Sequence, residues 1–178
     1  MAIKPTIFKL QIFLSDVDRN YYDCLNLTVA QHPSETRERM MARVVAYCLN
    51  AQERLTFSRG ISATDEPDIW LHTLDGRLVL WIDVGEPTAE RIKKASHIAE
   101  RVNVYSFNTK SDVWWEQGRS RFAELSAAVY RFDWESIKTL ADLVQRTMDM
   151  SFTITGESAY VATNQGECEV SWTTLQSV

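Results

Sequence analysis

The sequence predicts one mixed α/β (α+β) domain over residues 1–178, a mixed β-sheet with flanking helices. Three observations predict it. Stretches that alternate apolar and polar residues are interspersed with stretches whose apolar residues recur every three or four positions. Asp75-Gly76, a preferred hairpin turn, separates two strand-like runs. The composition, 45% hydrophobic and 24% charged with only four prolines and six glycines, fits a packed domain and excludes a disordered tail or a fibrous repeat.

Each element follows in order. The opening alternates, with Ile3, Pro5, Ile7 and Lys9 on one face and Phe8, Leu10 and Ile12 on the other. A second strand over 21–30 carries Leu25, Leu27 and Val29 at period two. Ser34 is then a suitable N-cap for a helix over 34–50, with Met41, Val44, Val45 and Cys48 as its apolar stripe. Strands over 68–74 and 78–84 form the hairpin, and Gly85-Glu86-Pro87 stops the second. Thr88 caps another helix, whose inward face carries Ile92, Ala95 and Ala99. A strand over 102–107, a short helix around 112–118, a strand over 127–132 and a helix over 134–146 come next. From Ser151 the tail predicts two or three short antiparallel strands.

The net charge of −5 argues against a protein whose main task is sequence-independent grip on DNA, since phosphate neutralisation supplies most of that affinity. The acidity is concentrated in the tail. After Arg146 there is no Lys or Arg, while Asp149, Glu157, Glu167 and Glu169 remain. Cys24, Cys48 and Cys168 are too widely spaced for a zinc motif or a disulfide framework, and Cys48 reads as a core thiol. No apolar run approaches the length of a membrane span. These features predict a soluble, cytoplasmic protein with no membrane partner.

The chemistry rests on the hairpin. With Asp75 and Gly76 as the two central turn residues, Trp70 faces Trp81, His72 faces Val79, and Asp68 faces Asp83. Carboxylates so paired have Cβ atoms about 4.5–5.5 Å apart. At that spacing and an effective dielectric near 20 they repel by about 3 kcal/mol. Solvent, a shared proton or a bound cation offsets the repulsion, and Mg²⁺ is a suitable cation because one or two carboxylates usually hold it. Glu38 lies three and seven residues before Met41 and Val45, which places a third acid on the inward stripe and makes it less exposed than Glu35. The alternative for Glu38 is an ordinary first-turn glutamate, and for Glu35 a residue that suits the positive helix end. Trp70, Trp81, Trp114 and Trp115 either fill a core or stack on bases. Arg59 places a cation beside the hairpin entrance.

Several motifs in order carry a resemblance that spans nearly the whole chain. They are His32-Pro33-Ser34-Glu35-Thr36, Glu38-Arg39-Met40-Met41, Phe57-Ser58-Arg59-Gly60, Asp65-Glu66-Pro67-Asp68, Trp81-Ile82-Asp83, Arg91-Ile92-Lys93-Lys94-Ala95 and Trp114-Trp115. Together they resemble the bacterial YaeQ proteins, a family whose fold resembles the PD-(D/E)XK nuclease superfamily. The resemblance implies a nuclease-like core, with Pro67-Asp68 at the PD element, Asp83 at the (D/E) position and Glu38 or Glu35 as the helix acid. It implies Mg²⁺ or Mn²⁺ on Asp68, Asp83 and Glu38. Gly85 stands where that motif has its lysine. Lys93 or Lys94 on the following helix is the candidate replacement, although at about 100° per residue both fall well off the Ile92, Ala95, Ala99 stripe. Lys93, nearer in sequence to Gly85, is preferred.

Two functions follow from these residues. One is a Mg²⁺-dependent phosphodiester hydrolase acting on nucleic acid, with Glu38, Asp68, Asp83, Lys93 and Lys94 as its catalytic set. The other is a catalytically silent member of the same fold that binds a basic protein or a nucleic-acid partner.

Overall fold

The computed structural model describes residues 4–178, so Ile3 lies outside the described residues. The chain is a mixed α+β fold with ten strands and four helices among the described residues. It divides into two compact units.

The first unit comprises Met1–Leu49 and Asp133–Trp172. It holds β1 (Thr6–Asp16), β2 (Tyr21–Gln31), α1 (Arg37–Leu49), α4 (Trp134–Leu143), β8 (Thr147–Thr155), β9 (Ser158–Thr163) and the first part of β10 (Gly166–Gln176). The strand order is β2-β1-β8-β9-β10. β1 and β2 pair antiparallel from Thr6↔Gln31 to Asp16↔Tyr21. Alternation buries Phe8, Leu10, Ile12 and Leu14 of β1 with Leu25, Leu27 and Val29 of β2, as the period-two pattern predicts. α1 packs against α4 and is buried all round from Met40 to Cys48. The expected stripe of Met41, Val44, Val45 and Cys48 is within it. The other faces are buried too because Ala42 and Ala46 are small and Arg43 is ion-paired.

Two expectations change in this unit. The helix cap is Thr36 rather than Ser34: its Oγ1 accepts from the Arg39 N–H at 3.1 Å, and its carbonyl starts the helical ladder. Ser34 is drawn aside by His32, whose ring nitrogen lies 2.8 Å from its hydroxyl. The tail also differs. α4 ends at Leu143, where Val144 becomes extended and buries its side chain, so β8 starts at Thr147. That longer strand runs parallel to β1, from Lys9↔Thr147 to Asp16↔Ile154, before the antiparallel β8, β9 and β10.

The second unit comprises Asn50–Phe132 and Thr173–Val178. It holds β3 (Leu55–Phe57), a 3₁₀ turn at Gly60–Ser62, β4 (Ile69–His72), β5 (Leu78–Val84), α2 (Ala89–Ile98), β6 (Arg101–Ser106), α3 (Ser111–Phe122) and β7 (Ala128–Phe132). Its strand order is β7-β6-β5-β4-β3. β3, β4 and β5 are antiparallel, while β5, β6 and β7 run parallel. α2 and α3 are the crossovers that parallel neighbours require. Trp81, Ile92, Ala95, Val102, Val104, Phe122 and Val129 form one core cluster, with Trp114 and Trp115 packed against it. Full burial of each large side chain contributes about 1.5–3 kcal/mol.

β3 spans three residues, too few to show a period. α3 outruns its expected end at Gly118 because Phe122 packs edgewise on Trp114 and at a tilt against Trp115, with ring centroids 5.3 and 5.8 Å apart. Gly118 belongs inside this helix, since a Cβ there would meet the Phe122 ring at 3.2 Å. Among the described residues no helix is long and apolar enough to cross a membrane.

Candidate functional site

The site is built by the β4–β5 hairpin and the first turn of α2, all in the second unit. The turn is not the two-residue type that Asp75-Gly76 predicts. The Thr73 N–H donates to the Arg77 carbonyl at 2.9 Å, which leaves a three-residue loop closed by Gly76 at φ 88°. Thr73 Oγ1 also donates to the Asp75 carboxylate, which fixes the loop. This longer loop shifts the pairing by one residue, so His72 faces Leu78 rather than Val79. A bulge between Leu71 and His72 then shifts it back, and the pairs Leu71↔Leu80, Trp70↔Trp81 and Ile69↔Ile82 are those expected. One step further along this register, Asp68 stands opposite Asp83. Two irregularities cancel, and the acids meet as the sequence predicts.

Both acids are enclosed, with Asp68 6% and Asp83 4% exposed. Water therefore does not offset their repulsion. Asp68 Oδ2 accepts the Val84 N–H at 2.7 Å, a bond that locks its carboxylate across the hairpin. Asp83 is held by Arg91, whose Nε donates to Oδ2 at 2.7 Å and whose Nη2 donates to Oδ1 at 3.2 Å. The same guanidinium donates from Nη1 to the Thr64 carbonyl at 2.5 Å and from Nη2 to the Glu66 carbonyl at 2.8 Å. Its carbon lies 5.4 Å from the centroid of the Trp81 ring. Thr88 aims it: the Thr88 Oγ1 caps α2 by accepting the Arg91 N–H at 3.2 Å, which fixes Arg91 in the first turn.

The electrostatics follow from this enclosure. Burial pushes the Asp83 carboxyl above the usual aspartate range, the Arg91 hydrogen bonds pull it down, and the charge of Asp68 pushes it up again. The hydrogen bonds to Asp83 raise Arg91 further above its already high value. Arg91 thus acts on both acids, through hydrogen bonds on Asp83 and through charge on Asp68.

Thr64, Asp65, Trp81, Arg91, Lys94 and Ile98 line a cavity of about 490 Å³ beside this pair. The indole N–H of Trp81 has no hydrogen-bond acceptor of ordinary geometry. Lys94 borders the cavity, whereas Lys93, the preferred lysine, is exposed and does not line it. A cavity of about 540 Å³ in the first unit, lined by Phe13, Met148 and Thr163, contains none of the predicted site residues.

Glu38 and Glu35 belong to the first unit, and their exposures reverse the expectation. Glu35 is the buried one, 7% exposed, and Glu38 is half-buried. The chain before Thr36 turns inward, which takes Glu35 rather than Glu38 out of solvent. There Glu35 accepts from Arg43 Nη2 at 2.7 Å, from Arg43 Nε at 2.9 Å and from Arg39 Nη1 at 2.6 Å. Arg43, 4% exposed, also donates to the Ala30 carbonyl. Glu35 is thus the hub of a buried ion cluster rather than a helix-end residue. Arg59 forms a surface pair with Glu66 at 2.8 Å. Trp70 stacks edgewise on His72 with centroids 4.7 Å apart, and Trp81, Trp114 and Trp115 contribute to the core. Cys48 is fully buried, and that burial pushes its thiol up, in line with the expected core thiol.

As arranged, the hairpin acids do not fit a divalent cation. Both oxygens of Asp83 are engaged by Arg91 and one oxygen of Asp68 by a backbone N–H, whereas a bound Mg²⁺ needs carboxylate lone pairs turned toward it. Arg91 is the residue that sequence reasoning missed. The helical wheel that set the two lysines aside places Arg91 closer to the Ile92, Ala95 stripe than either of them. The repulsion between the acids already called for a nearby cation.

The profile of the YaeQ protein family matches residues 1–172. The chain is 39% identical over 180 residues to the uncharacterized protein YaeQ of Escherichia coli (strain K12), covering 99% of this chain and 98% of that one. It is 38% identical to the Salmonella typhi protein of the same name over 178 residues, with the same coverage. The crystal structure of the YaeQ protein from Xanthomonas axonopodis pv. citri superposes with a TM-score of 0.94 at 32% identity, covering 98% of this chain and 99% of that chain. The YaeQ protein from Pseudomonas syringae gives 0.92 at 31% identity, covering 98% and 97%. On sequence and on fold alike, the chain belongs to the YaeQ family.

Proposed function

We propose that the chain is a nuclease-fold protein of the PD-(D/E)XK kind whose paired-aspartate centre is closed by an arginine, and that it acts by binding a partner rather than by cleaving phosphodiesters. Two acids on adjacent antiparallel strands, next to a helix that supplies a cation, support the fold resemblance. The observation that carries the function is the Arg91 fork on Asp83. A guanidinium there neutralises a carboxylate as a metal would, but it offers no exchangeable water to activate. The charge of the chain favours a basic protein segment as partner. Asp149, Glu157, Glu167 and Glu169 are all exposed on or between β8, β9 and β10, in a stretch that has no Lys or Arg after Arg146. The cysteines are free thiols, which supports placing the protein in a reducing cytoplasm.

The metal-dependent hydrolase is the second reading, favoured by the burial of both acids beside a cavity that Lys94 borders. It requires Arg91 to leave Asp83. The two readings part in a cleavage assay with single- and double-stranded DNA and RNA in Mg²⁺ or Mn²⁺. The binding reading expects no cleavage above that of the Asp83→Asn variant. Cleavage by the unaltered protein that Asp83→Asn abolishes would establish the hydrolase instead.

A further inference from the structure

We infer that Arg91 is a built-in counter-ion: its guanidinium does the structural work of a divalent cation at the Asp68 and Asp83 pair, and its removal opens a cation site there. The inference rests on the same pair as the binding reading but is tested separately from it. A metal ion in such a place neutralises the acids, ties the two strands to whatever lies above them, and fixes the carboxylate geometry. Arg91 does each of these with directed hydrogen bonds. It takes both oxygens of Asp83, at 2.7 and 3.2 Å, and it ties the segment 63–67 to the hairpin through the Thr64 and Glu66 carbonyls. That segment has its own closure, in which the Ser58 hydroxyl donates to the Pro67 carbonyl and Arg59 pairs with Glu66. Losing Arg91 therefore loosens its upper part without releasing its base.

The charge balance gives the inference its direction. With Arg91 removed, two enclosed carboxylates are left facing each other, and both lie 6% exposed or less. Arg91 and a divalent cation need the same two Asp83 oxygens, so loss of Arg91 removes a competitor whose charged hydrogen bonds cost a cation about tenfold or more in affinity. Mn²⁺ is the probe of choice, because carboxylate oxygens suit it.

The experiment titrates Mn²⁺ alone into the unaltered protein, Asp83→Asn, Arg91→Ala, Arg91→Lys and the double variant Arg91→Ala, Asp83→Asn, by calorimetry. Hydrogen exchange of residues 63–67 is followed in parallel. The expected result is one Mn²⁺ per Arg91→Ala chain, bound about tenfold or more tighter than by the unaltered protein, where it must displace the Arg91 fork. The double variant loses it, and Mn²⁺ raises the Tm of Arg91→Ala only. Arg91→Lys keeps the charge but not the fork, so residues 63–67 exchange faster in it as well, which keeps the test open if Arg91→Ala folds poorly. Two results would overturn the inference. One is stoichiometric Mn²⁺ binding by the unaltered protein that Asp83→Asn abolishes. The other is a pair of Arg91 variants with no gain in Mn²⁺ affinity and unchanged exchange at 63–67. Cleavage of nucleic acid bears on the binding reading alone.

Discussion

Two buried acid and arginine clusters invite comparison. In the first unit one acid, Glu35, is served by two arginines, Arg39 and Arg43, the latter four residues along the same helix from the former. In the second unit two acids, Asp68 and Asp83, share one arginine, Arg91. The Glu35 cluster sets two arginines on one acid, and it joins α1 to the end of β2 through the Ala30 carbonyl. It has the makings of a structural joint. The Asp68 and Asp83 cluster sets two buried acids facing each other, ties in the Thr64 and Glu66 carbonyls through Arg91, and lies beside a cavity of about 490 Å³. Facing buried acids next to open volume distinguish a functional candidate from a brace.

The largest effect is expected at the brace. Arg43→Ala removes two charged hydrogen bonds to the buried Glu35 and one to the Ala30 carbonyl, and stability should fall by about 3 kcal/mol in denaturant unfolding. Replacing Glu35 by Gln and Arg43 by Met together should cost less than Arg43→Ala alone, because no charge is then fully buried and Arg39 reaches solvent. An equal or greater loss in the double variant would erase the distinction drawn between the two clusters.

Asp83→Asn should cost less, about 1–2 kcal/mol, since the orphaned Arg91 is one-third exposed and retains its two carbonyl acceptors. The pH dependence should separate the clusters too. The folded-state pKa of Asp83 lies above its unfolded value, so the folded chain holds that proton more tightly. Its contribution to stability is therefore greatest below the ordinary aspartate value, and it falls as pH rises from there to the raised value. Tm measured across this window should show a falling component that Asp83→Asn removes. An unchanged slope in the variant would show that another group sets it.

The smallest effect is expected at the lysines. Lys93→Ala and Lys94→Ala should each stay within about 0.5 kcal/mol of the parent. Binding of a ligand in the cavity, followed by Trp81 fluorescence, should respond to Lys94→Ala and not to Lys93→Ala, because only Lys94 lines it.

The legible part of the molecule was what period and turn chemistry control. The alternation of Phe8, Leu10 and Ile12, the Thr88 cap and the pairing of Trp70 with Trp81 were all readable. The hairpin came out in the expected register although its turn has three residues, because the bulge at Leu71/His72 compensates, and no local rule links the two. Neither Arg91 nor Glu35 was legible as a site residue. Their roles depend on what faces them in space: the Thr64 and Glu66 carbonyls for Arg91, and Arg43 for Glu35. A wheel sorts positions by angle, and it cannot see which acid lies across the next element. Charge balance was the usable signal. A buried acid pair demanded a cation, and the first-turn arginine was the nearest to the buried stripe.

The most direct measurement is a crystal structure of the unaltered protein grown in Mn²⁺, with anomalous diffraction to locate the metal. The expected map keeps the Arg91 fork on Asp83 and shows no anomalous peak between Asp68 and Asp83. A peak within about 2–2.6 Å of both carboxylates, with Arg91 swung away, would contradict the counter-ion role and restore the pair as a metal centre.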